Sequence, residues 1–401
     1  MLESALILTV LTAVAAVLVL HPRLQRSSAW KAMVTPLSSI MGSGFLVCAP
    51  LLADNVGYDA VLAMGGLLLI AFAVGGAVRY NIRYVEPMLA TQSGPKALGR
   101  LENGGRWVLS AAYVISISYY LQLLAAFVLH MTGVDDALIA KLVTTGVLVA
   151  ITVIGSTWGL DALESVERYA IGLNLGTISA FLLGLAWFNI AEVHEGIWAI
   201  PDVPPNLNAH SGRVVLGLLI VVQGFETSRY LGDGHPPEER IATMRWAQLL
   251  SAAIYITFLS LMTVLFERHM GGGVTVIVDV AGRIAPVLPV AVVVAAVGSQ
   301  FSAAVADTAG AGGLVQEVSG GRLDGSRAYL VLGALTIALT WLTDVMQVIS
   351  IASRAFALFY AIQCAVGAVA ATHASHKPRA AWFALLSLVC LAVVVLGIPS
   401  E

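Results

Sequence analysis

Residues 41–53 read MGSGFLVCAPLLA and carry a Gly-Ser-Gly triplet in the middle of an apolar run. Residues 223–226, Gln-Gly-Phe-Glu, place polar groups and a carboxylate inside a second apolar run. Because lipid-facing helices must satisfy their backbone hydrogen bonds internally, interrupted helices belong beside protein-lined cavities. Paired interruptions at matching positions of two halves are the sequence pattern that indicates a transporter's central site.

The rest of the chain is typical of a helical membrane protein. Of its 401 residues, 58% are hydrophobic and 11% are charged, whereas soluble domains are about 25% charged. Apolar runs predict about twelve membrane-spanning helices of about 20 residues each. These spans lie near 4–20, 32–53, 59–79, 106–131, 138–155, 166–190, 212–231, 242–266, 284–315, 327–343, 345–372 and 380–398. The composition therefore excludes a soluble enzyme, a nucleic-acid-binding protein and a disordered scaffold.

The positions of the two interruptions predict an internal repeat. They fall in the second and seventh spans, so that, with the first span set aside, they begin two five-helix halves at 32–190 and 212–372. An odd number of spans per half makes the halves antiparallel, as inverted repeats require. An extra N-terminal helix with its linker then occupies 1–31, and one C-terminal helix occupies 380–398.

Basic residues predict the orientation in the membrane. With the N-terminus outside, sixteen of the 21 lysines and arginines face the cytoplasm, four face outside and Arg354 lies within a span. This bias follows the positive-inside rule and favours a multi-pass protein of the plasma membrane. The first apolar run has no basic residue before it and no small-residue cleavage site after it, so we expect an uncleaved helix. A net charge of −3 suggests no nucleic-acid partner, and we expect a monomer or homodimer in the lipid bilayer.

Both interruptions resemble a known family. Residues 41–53 are similar to the first core helix of the amino acid–polyamine–organocation (APC) superfamily, and Gly-Phe-Glu at 224–226 is similar to its sixth. The resemblance extends in register over about residues 32–372. It implies an all-α, LeuT-like 5+5 inverted repeat with broken first and sixth core helices, and secondary transport by alternating access. The extra N-terminal helix departs from the family pattern.

Candidate substrate-binding residues surround the two interruptions. At the first, unwound glycines would free backbone N–H groups beside the positive end of a half-helix, which suits an anionic or strongly polar group. At the second, freed carbonyls would accept an ammonium beside Phe225. The candidates are Met41, Gly42, Ser43, Gly44, Phe45, Tyr119, Gln122, Gln223, Gly224 and Phe225. The alternatives are that the glycines only allow close helix packing, and that the aromatic and polar side chains belong to the core.

Glu226 is the main candidate for proton coupling or gating. An ionisable residue inside a span is costly and is a functional candidate by default, and the resemblance implies proton sensing at this position. The alternative is a structural ion pair, because Arg229 follows three residues later.

Asp307 is the second coupling candidate. Ala304, Asp307 and Thr308 have the i, i+3, i+4 spacing that the resemblance associates with a cation site completed by first-helix carbonyls. A carboxylate and a hydroxyl suit a hard cation, while Asp307 alone also suits a proton or a role in helix packing. Arg354, within its own span, needs a partner, and Asp344 or Asp307 is the candidate.

The sequence thus predicts a secondary active transporter that moves a small polar organic solute, amino acid or amine-like, coupled to H⁺ or Na⁺. We expect no enzyme activity, metal centre or cofactor, because the eight histidines fall in loops or at span ends and the three cysteines show no paired spacing. The alternatives are an inorganic-ion carrier of the same fold and a transport-inactive sensor or scaffold.

Overall fold

The structure is a computed structural model that describes residues 26–159, 161–204, 206, 208–232, 234–267, 273–323 and 325–399, without the side chains of residues 43 and 161–171. The described part is helical and contains no strand. Its α-helices are α1 (Ser28–Val56), α2 (Ala60–Tyr80), α3 (Glu86–Ala90), α4 (Lys96–Thr132), α5 (Ala137–Thr157), α6 (Asp161–Glu195), α7 (Ala209–Gly217), α8 (Pro237–Met262), α9 (Val276–Ile284), α10 (Leu288–Val318), α11 (Gly325–Leu342), α12 (Val345–His373) and α13 (Lys377–Leu396).

Nine helical stretches of the described residues are long and apolar enough to cross a membrane. The first of these, Ser28–Ala90, contains both α1 and α2, and the interrupted segment 209–230 adds a further apolar segment. The described residues therefore account for eleven of the twelve predicted spans and confirm an all-α membrane protein. The predicted span 4–20 lies outside the described residues.

Helix ends follow ordinary capping signals in the sequence. Gly133 ends α4 in the left-handed conformation, with φ of 68°. Asp136 starts α5 by accepting hydrogen bonds from the backbone N–H groups of Leu138 (2.7 Å) and Ile139 (3.1 Å). Asp344 forms a capping box at the start of α12, where its carboxylate accepts a hydrogen bond from the Gln347 backbone N–H.

The first predicted interruption is wrong in this structure, because α1 is a continuous α-helix from Ser28 to Val56. A Cβ at Gly44 would overlap the Cα and Cβ atoms of Val221, and one at Gly42 would lie 3.0 Å from the Ser299 Oγ. The two glycines therefore let neighbouring segments approach the helix closely, which is the packing alternative that the sequence left open.

The second predicted interruption is confirmed. After α7, the chain forms two short 3₁₀ segments, Leu219–Val222 and Phe225–Tyr230, separated by an extended Gln223 and by Gly224 with φ of 115°. Glycine is required at this turn, because its φ is disfavoured for other residues and because a Cβ would overlap Ser39. The backbone thus leaves the helical hydrogen-bond pattern in the middle of a span.

Helices at equivalent positions of the two predicted halves pack against each other. The α1 helix contacts the interrupted segment, α2 packs on α8, α4 packs on α10, and α5 packs on α11. The α10 helix also packs on α6, and α13 packs on α12. This arrangement places the break at 223–224 between α1, α2, α8 and α12, where the candidate site lies.

Candidate functional site

Glu226 lies at the break in the interrupted helix and is 1% exposed. Its Oε2 atom accepts hydrogen bonds from the backbone N–H of Gly224 (2.9 Å) and from the hydroxyl of Tyr360 on α12 (2.7 Å). Its Oε1 atom has no hydrogen-bond partner among the described residues. The carboxylate is therefore held by one oxygen while the other stays open to a proton or a ligand.

Arg229 does not pair with Glu226, so the predicted alternative of a structural ion pair is wrong. The guanidinium lies 3.1 Å from the Glu102 carboxylate (Nη2–Oε1) and 3.8 Å from that of Glu86 (Nε–Oε1). It also donates to the side chain of Gln363 on α12. Within the described part of the chain, Glu226 has no ion-pair partner.

Phe225 and Gln223, which flank Gly224 just before Glu226, are also anchored in the core. The Phe225 ring is fully buried and stacks on Tyr360, with 4.9 Å between centroids and 16° between planes. The side-chain amide of Gln223 donates to the Tyr120 hydroxyl (3.0 Å), while its Oε1 atom has no partner among the described residues. The break thus presents two buried acceptor oxygens that the described side chains and backbone leave open.

The predicted residues of α1 lie beside this group but do not offer free N–H groups. The Gly42 carbonyl accepts a hydrogen bond from the Gln300 side chain (2.9 Å), and the Ile40 carbonyl accepts one from the Tyr255 hydroxyl (3.1 Å). Phe45 packs on Phe258 of α8, with 4.3 Å between centroids. Met41 is buried, and the side chain of Ser43 lies outside the described part.

The structure does not bring Gln122 to the break. Its amide donates to the Ser118 hydroxyl (3.0 Å) and lies 3.5 Å from the hydroxyl of Thr343 beyond α11. Tyr119 is fully buried, with its ring 5.2 Å from that of Tyr120. Tyr120 is therefore the residue of this pair that reaches the break, through Gln223.

The α10 candidates occupy two different environments. The Thr308 hydroxyl donates to the Ala304 carbonyl within the helix (2.6 Å), whereas the Asp307 carboxylate accepts a hydrogen bond from Ser116 on α4. The Ala304 and Gly42 carbonyls each accept a hydrogen bond, and the cation site at Ala304, Asp307 and Thr308 stays a prediction.

Asp307 instead lines a cavity of about 170 Å³ between α1, α4, α10 and the segment Phe225–Tyr230. The cavity is rich in hydroxyl groups, and Asp307 is the one carboxylate among the described residues that line it. The hydroxyl-bearing residues are Thr35, Ser38, Ser39, Tyr113, Thr227, Tyr230 and Ser302.

Among the described residues, Arg354 binds a backbone carbonyl rather than the carboxylate of Asp344 or Asp307. Its Nε and Nη2 atoms donate to the Gly397 carbonyl, at 2.9 and 2.5 Å. The backbone after α13 also contacts α7, because the Ile398 N–H donates to the Arg213 carbonyl (3.1 Å). The end of the described chain is thereby bound to both α12 and α7.

Sequence reasoning missed two features of the site. Tyr360, a donor to Glu226, lies in an apolar span where an aromatic residue is ordinarily part of the packing. Sequence reasoning also missed a network of charged side chains beside the break. In this network, the Arg240 guanidinium on α8 contacts the Glu86 carboxylate at 2.7 and 3.1 Å. The residues of the network lie near the ends of different helices, and nothing in the sequence except their charge indicates that they meet.

Comparisons with known proteins show what this chain is similar to. An uncharacterized protein of Aquifex aeolicus (strain VF5) is 38% identical over 383 residues, which are 94% of this chain and 93% of that protein. The crystal structure of a manganese transporter variant from Eremococcus coleocola has a TM-score of 0.55 at 12% identity, covering 94% of this chain and 88% of that one. The inward-facing structure of Mhp1 has a TM-score of 0.45 at 13% identity, covering 92% and 89%.

A sequence model of a family described as APC superfamily transporter matches residues 22–397. The match spans both predicted halves and both segments that carried the resemblance. The chain belongs to the APC superfamily of transporters.

Proposed function

We propose that this protein is a proton-coupled secondary transporter of a small polar organic solute, with Glu226 as the group that binds the proton. The observation that carries the proposal is the environment of this carboxylate. It is buried at a helix break, two donors bind one oxygen, the other oxygen has no partner among the described residues, and no cation pairs with it there. A buried carboxylate without a cation is costly in its charged form, so proton binding is a natural state for it.

The continuous first helix favours a proton over sodium as the coupling ion. A sodium site of the predicted kind would use carbonyls that an unwound first helix frees, whereas α1 is an α-helix from Ser28 to Val56 and its central carbonyls lie within the helical hydrogen-bond pattern. A proton needs only one carboxylate oxygen, and Glu226 Oε1 supplies it.

Protonation would change what the break can bind. The ionised carboxylate only accepts hydrogen bonds, whereas the protonated acid also donates one. Tyr360 belongs to α12 and Gly224 to the interrupted helix, and both donate to Glu226. The protonation state of Glu226 therefore affects the strength of a contact between two separate elements. Such a contact is a means of coupling proton binding to helix movement.

The test is solute-dependent proton flux in proteoliposomes that hold the purified full chain and a pH-sensitive dye. A panel of amino acids and amines is added under an imposed pH gradient without a sodium gradient, and we expect at least one solute to change the internal pH. Glu226→Gln should abolish this flux, while Glu195→Gln, the same substitution at an exposed position, should leave it intact. Undiminished flux in Glu226→Gln would refute the proposed role.

An inorganic cation is the second candidate for the solute, because the structural neighbour from Eremococcus coleocola is a manganese transporter. At 12% identity that likeness concerns the fold alone. The described residues include no group of three His, Cys, Asp or Glu side chains placed to hold a metal ion. Uptake of Mn²⁺ by the same vesicles, without flux for any organic solute, would show that the transported solute is the metal ion and not an organic molecule.

A further inference from the structure

We infer that a basic patch where α2 ends and α13 begins binds the headgroup of an anionic phospholipid. The patch combines basic side chains from the turn after α2 and from the connection between α12 and α13 with two tyrosines. Its members are Tyr80, Arg83, Tyr84, His373, His376, Lys377 and Arg379. This lipid is a ligand distinct from the transported solute, and the inference depends on neither the solute nor the coupling ion.

Contacts between α2 and α13 bring the basic patch together. The Tyr80 hydroxyl, at the end of α2, lies 3.3 Å from the Nδ1 atom of His376. The Arg379 guanidinium lies over the Tyr80 ring, with 5.9 Å between its Cζ atom and the ring centroid. The Tyr84 ring lies 4.5 Å from the Tyr80 ring, between centroids. The turn after α2 and the start of α13 therefore form one continuous surface.

No carboxylate belongs to the chain segments that form the basic patch. The sequence has no aspartate or glutamate at residues 60–85 or at residues 345–400. The acidic residue that follows the first of these segments, Glu86, is bound to Arg240 of α8 at 2.7 and 3.1 Å. The patch thus keeps a net positive charge, which suits an anionic partner.

The charged groups of the basic patch are accessible to a ligand. Arg83, Lys377 and Arg379 are exposed, and none of them forms an ion pair with another described residue. An arginine presents a planar fork of N–H donors that matches the geometry of a phosphate, and a lysine adds a compact positive charge. No side chain caps the start of α13, and the N-terminal end of a helix favours an anion.

The position of the basic patch indicates a phospholipid rather than a soluble phosphate. The α12 helix ends at His373 and α13 begins at Lys377, and both helices are long and apolar enough to cross a membrane. Basic and aromatic residues next to the ends of membrane-spanning helices lie at the level of the lipid headgroups. The patch is therefore located where the phosphates of phospholipids are concentrated.

An apolar surface for an acyl chain begins directly beside the basic patch. Trp382 follows Arg379 by three residues on α13, and Leu385 follows Trp382 by three more. Side chains three residues apart are neighbours on a helix surface, and both Trp382 and Leu385 are about half exposed. A lipid whose phosphate contacts Arg379 can therefore place an acyl chain along these two side chains, whereas a soluble phosphate gains nothing from them.

The bound headgroup would link two helices. Arg83 follows α2, whereas Lys377 and Arg379 belong to α13, so a phosphate shared by these side chains joins the end of one helix to the start of the other. A ligand that binds the folded state in this way raises the apparent stability of the protein. Anionic lipid should therefore stabilise the chain more than zwitterionic lipid does.

The inference is tested by thermal unfolding of the purified full chain in mild detergent at constant ionic strength. The probes are phosphatidylglycerol, phosphatidylcholine with the same acyl chains, and inorganic phosphate. We expect phosphatidylglycerol to raise the Tm in a concentration-dependent way, and the other two probes to leave it nearly unchanged. Equal stabilisation by phosphatidylcholine, or the same stabilisation by inorganic phosphate, would overturn the inference.

A double variant, Lys377→Gln with Arg379→Gln, removes two exposed charges of the basic patch. It should weaken phosphatidylglycerol binding roughly thirtyfold, because each basic residue near an anionic lipid surface contributes about 1 kcal/mol and about 1.4 kcal/mol is a factor of ten. The matched control, Arg26→Gln with Lys31→Gln, removes the same two residue types at exposed positions near the start of α1. Equal losses in both double variants would indicate a general attraction between charges and would overturn the assignment of a site.

Hydrogen exchange of the wild-type chain locates the site without a variant. Compared with phosphatidylcholine, phosphatidylglycerol should slow the exchange of backbone N–H groups at residues 375–379 and at residues 81–84. The loop at residues 133–136, which follows α4, contributes nothing to the basic patch and should exchange equally in the two lipids. Protection by phosphatidylglycerol that is absent from residues 375–379 would overturn the inference.

Discussion

Replacing Gly44 by alanine tests whether α1 is an intact, closely packed helix. In the structure, an added Cβ would overlap the Cα and Cβ atoms of Val221, which belongs to the 3₁₀ segment Leu219–Val222. Because these atoms are backbone or attached directly to it, no side-chain rotation can relieve the overlap. The α1 helix and the interrupted helix would have to move apart.

The expected magnitude is the sum of two opposing effects. Alanine in place of glycine inside a helix is favourable by about 1 kcal/mol. Overpacking of a close contact costs about 1–3 kcal/mol, and backbone overlap belongs at the upper end of that range. We therefore expect Gly44→Ala to lower the free energy of unfolding by about 2 kcal/mol.

Gly66→Ala is the matched control, because Gly66 lies in the middle of α2 and its added Cβ would have no neighbouring heavy atom within 4 Å. This variant should be as stable as the wild type or up to about 1 kcal/mol more stable. Reversible denaturation of both variants in mild detergent, followed by circular dichroism, measures the difference. Equal stability of the Gly44 and Gly66 variants would refute the close packing and would favour an unwound segment at residues 41–45.

Three further predictions concern buried contacts of the site. Tyr360→Phe removes one of the two donors to Glu226 and should cost about 1–3 kcal/mol of stability, a loss that a double-mutant cycle with Glu226→Gln should show to be shared by the pair. Arg229→Met leaves the Glu102 carboxylate buried without this partner and should cost about 3–5 kcal/mol; adding Glu102→Gln should recover part of the loss, and additive losses would argue against the ion pair. Arg354→Met should increase hydrogen exchange in α7 and at the end of α13, because it removes the guanidinium that binds the end of the described chain to α12; unchanged exchange would show that this contact does not restrain α7.

The sequence was informative about the break at residues 223–224 because the signal there is local. Gly224 occupies a backbone conformation that other residues disfavour, and a polar side chain with a carboxylate interrupts an apolar run. The Gly-Ser-Gly triplet of α1 is ambiguous, because the same residues suit an unwound segment and a close helix contact. Which of the two forms depends on Val221, because this residue is distant in the sequence and contacts the triplet only in the folded chain.

The partners of Glu226 could not be predicted for a related reason. Its spacing from Arg229 suggested a pair, but its side chain turns back to the N–H of Gly224, at the start of the 3₁₀ segment. Arg229 lies near the other end of that segment and meets carboxylates contributed by α3 and α4. Sequence spacing describes neighbours along one helix, whereas these contacts are made between helices.

The intact α1 helix also changes the chemistry expected of the substrate. Two unwound helices would offer N–H donors for a carboxylate and carbonyl acceptors for an ammonium, as an amino acid requires. With α1 continuous, its central N–H groups stay within the helix, and the Gly224 N–H is bound to Glu226. Open acceptors remain at the break on Glu226 and Gln223. The break therefore offers acceptor oxygens and no backbone N–H groups freed from α1, so the loss of stability expected for Gly44→Ala would also argue against recognition of a substrate carboxylate by an unwound first helix.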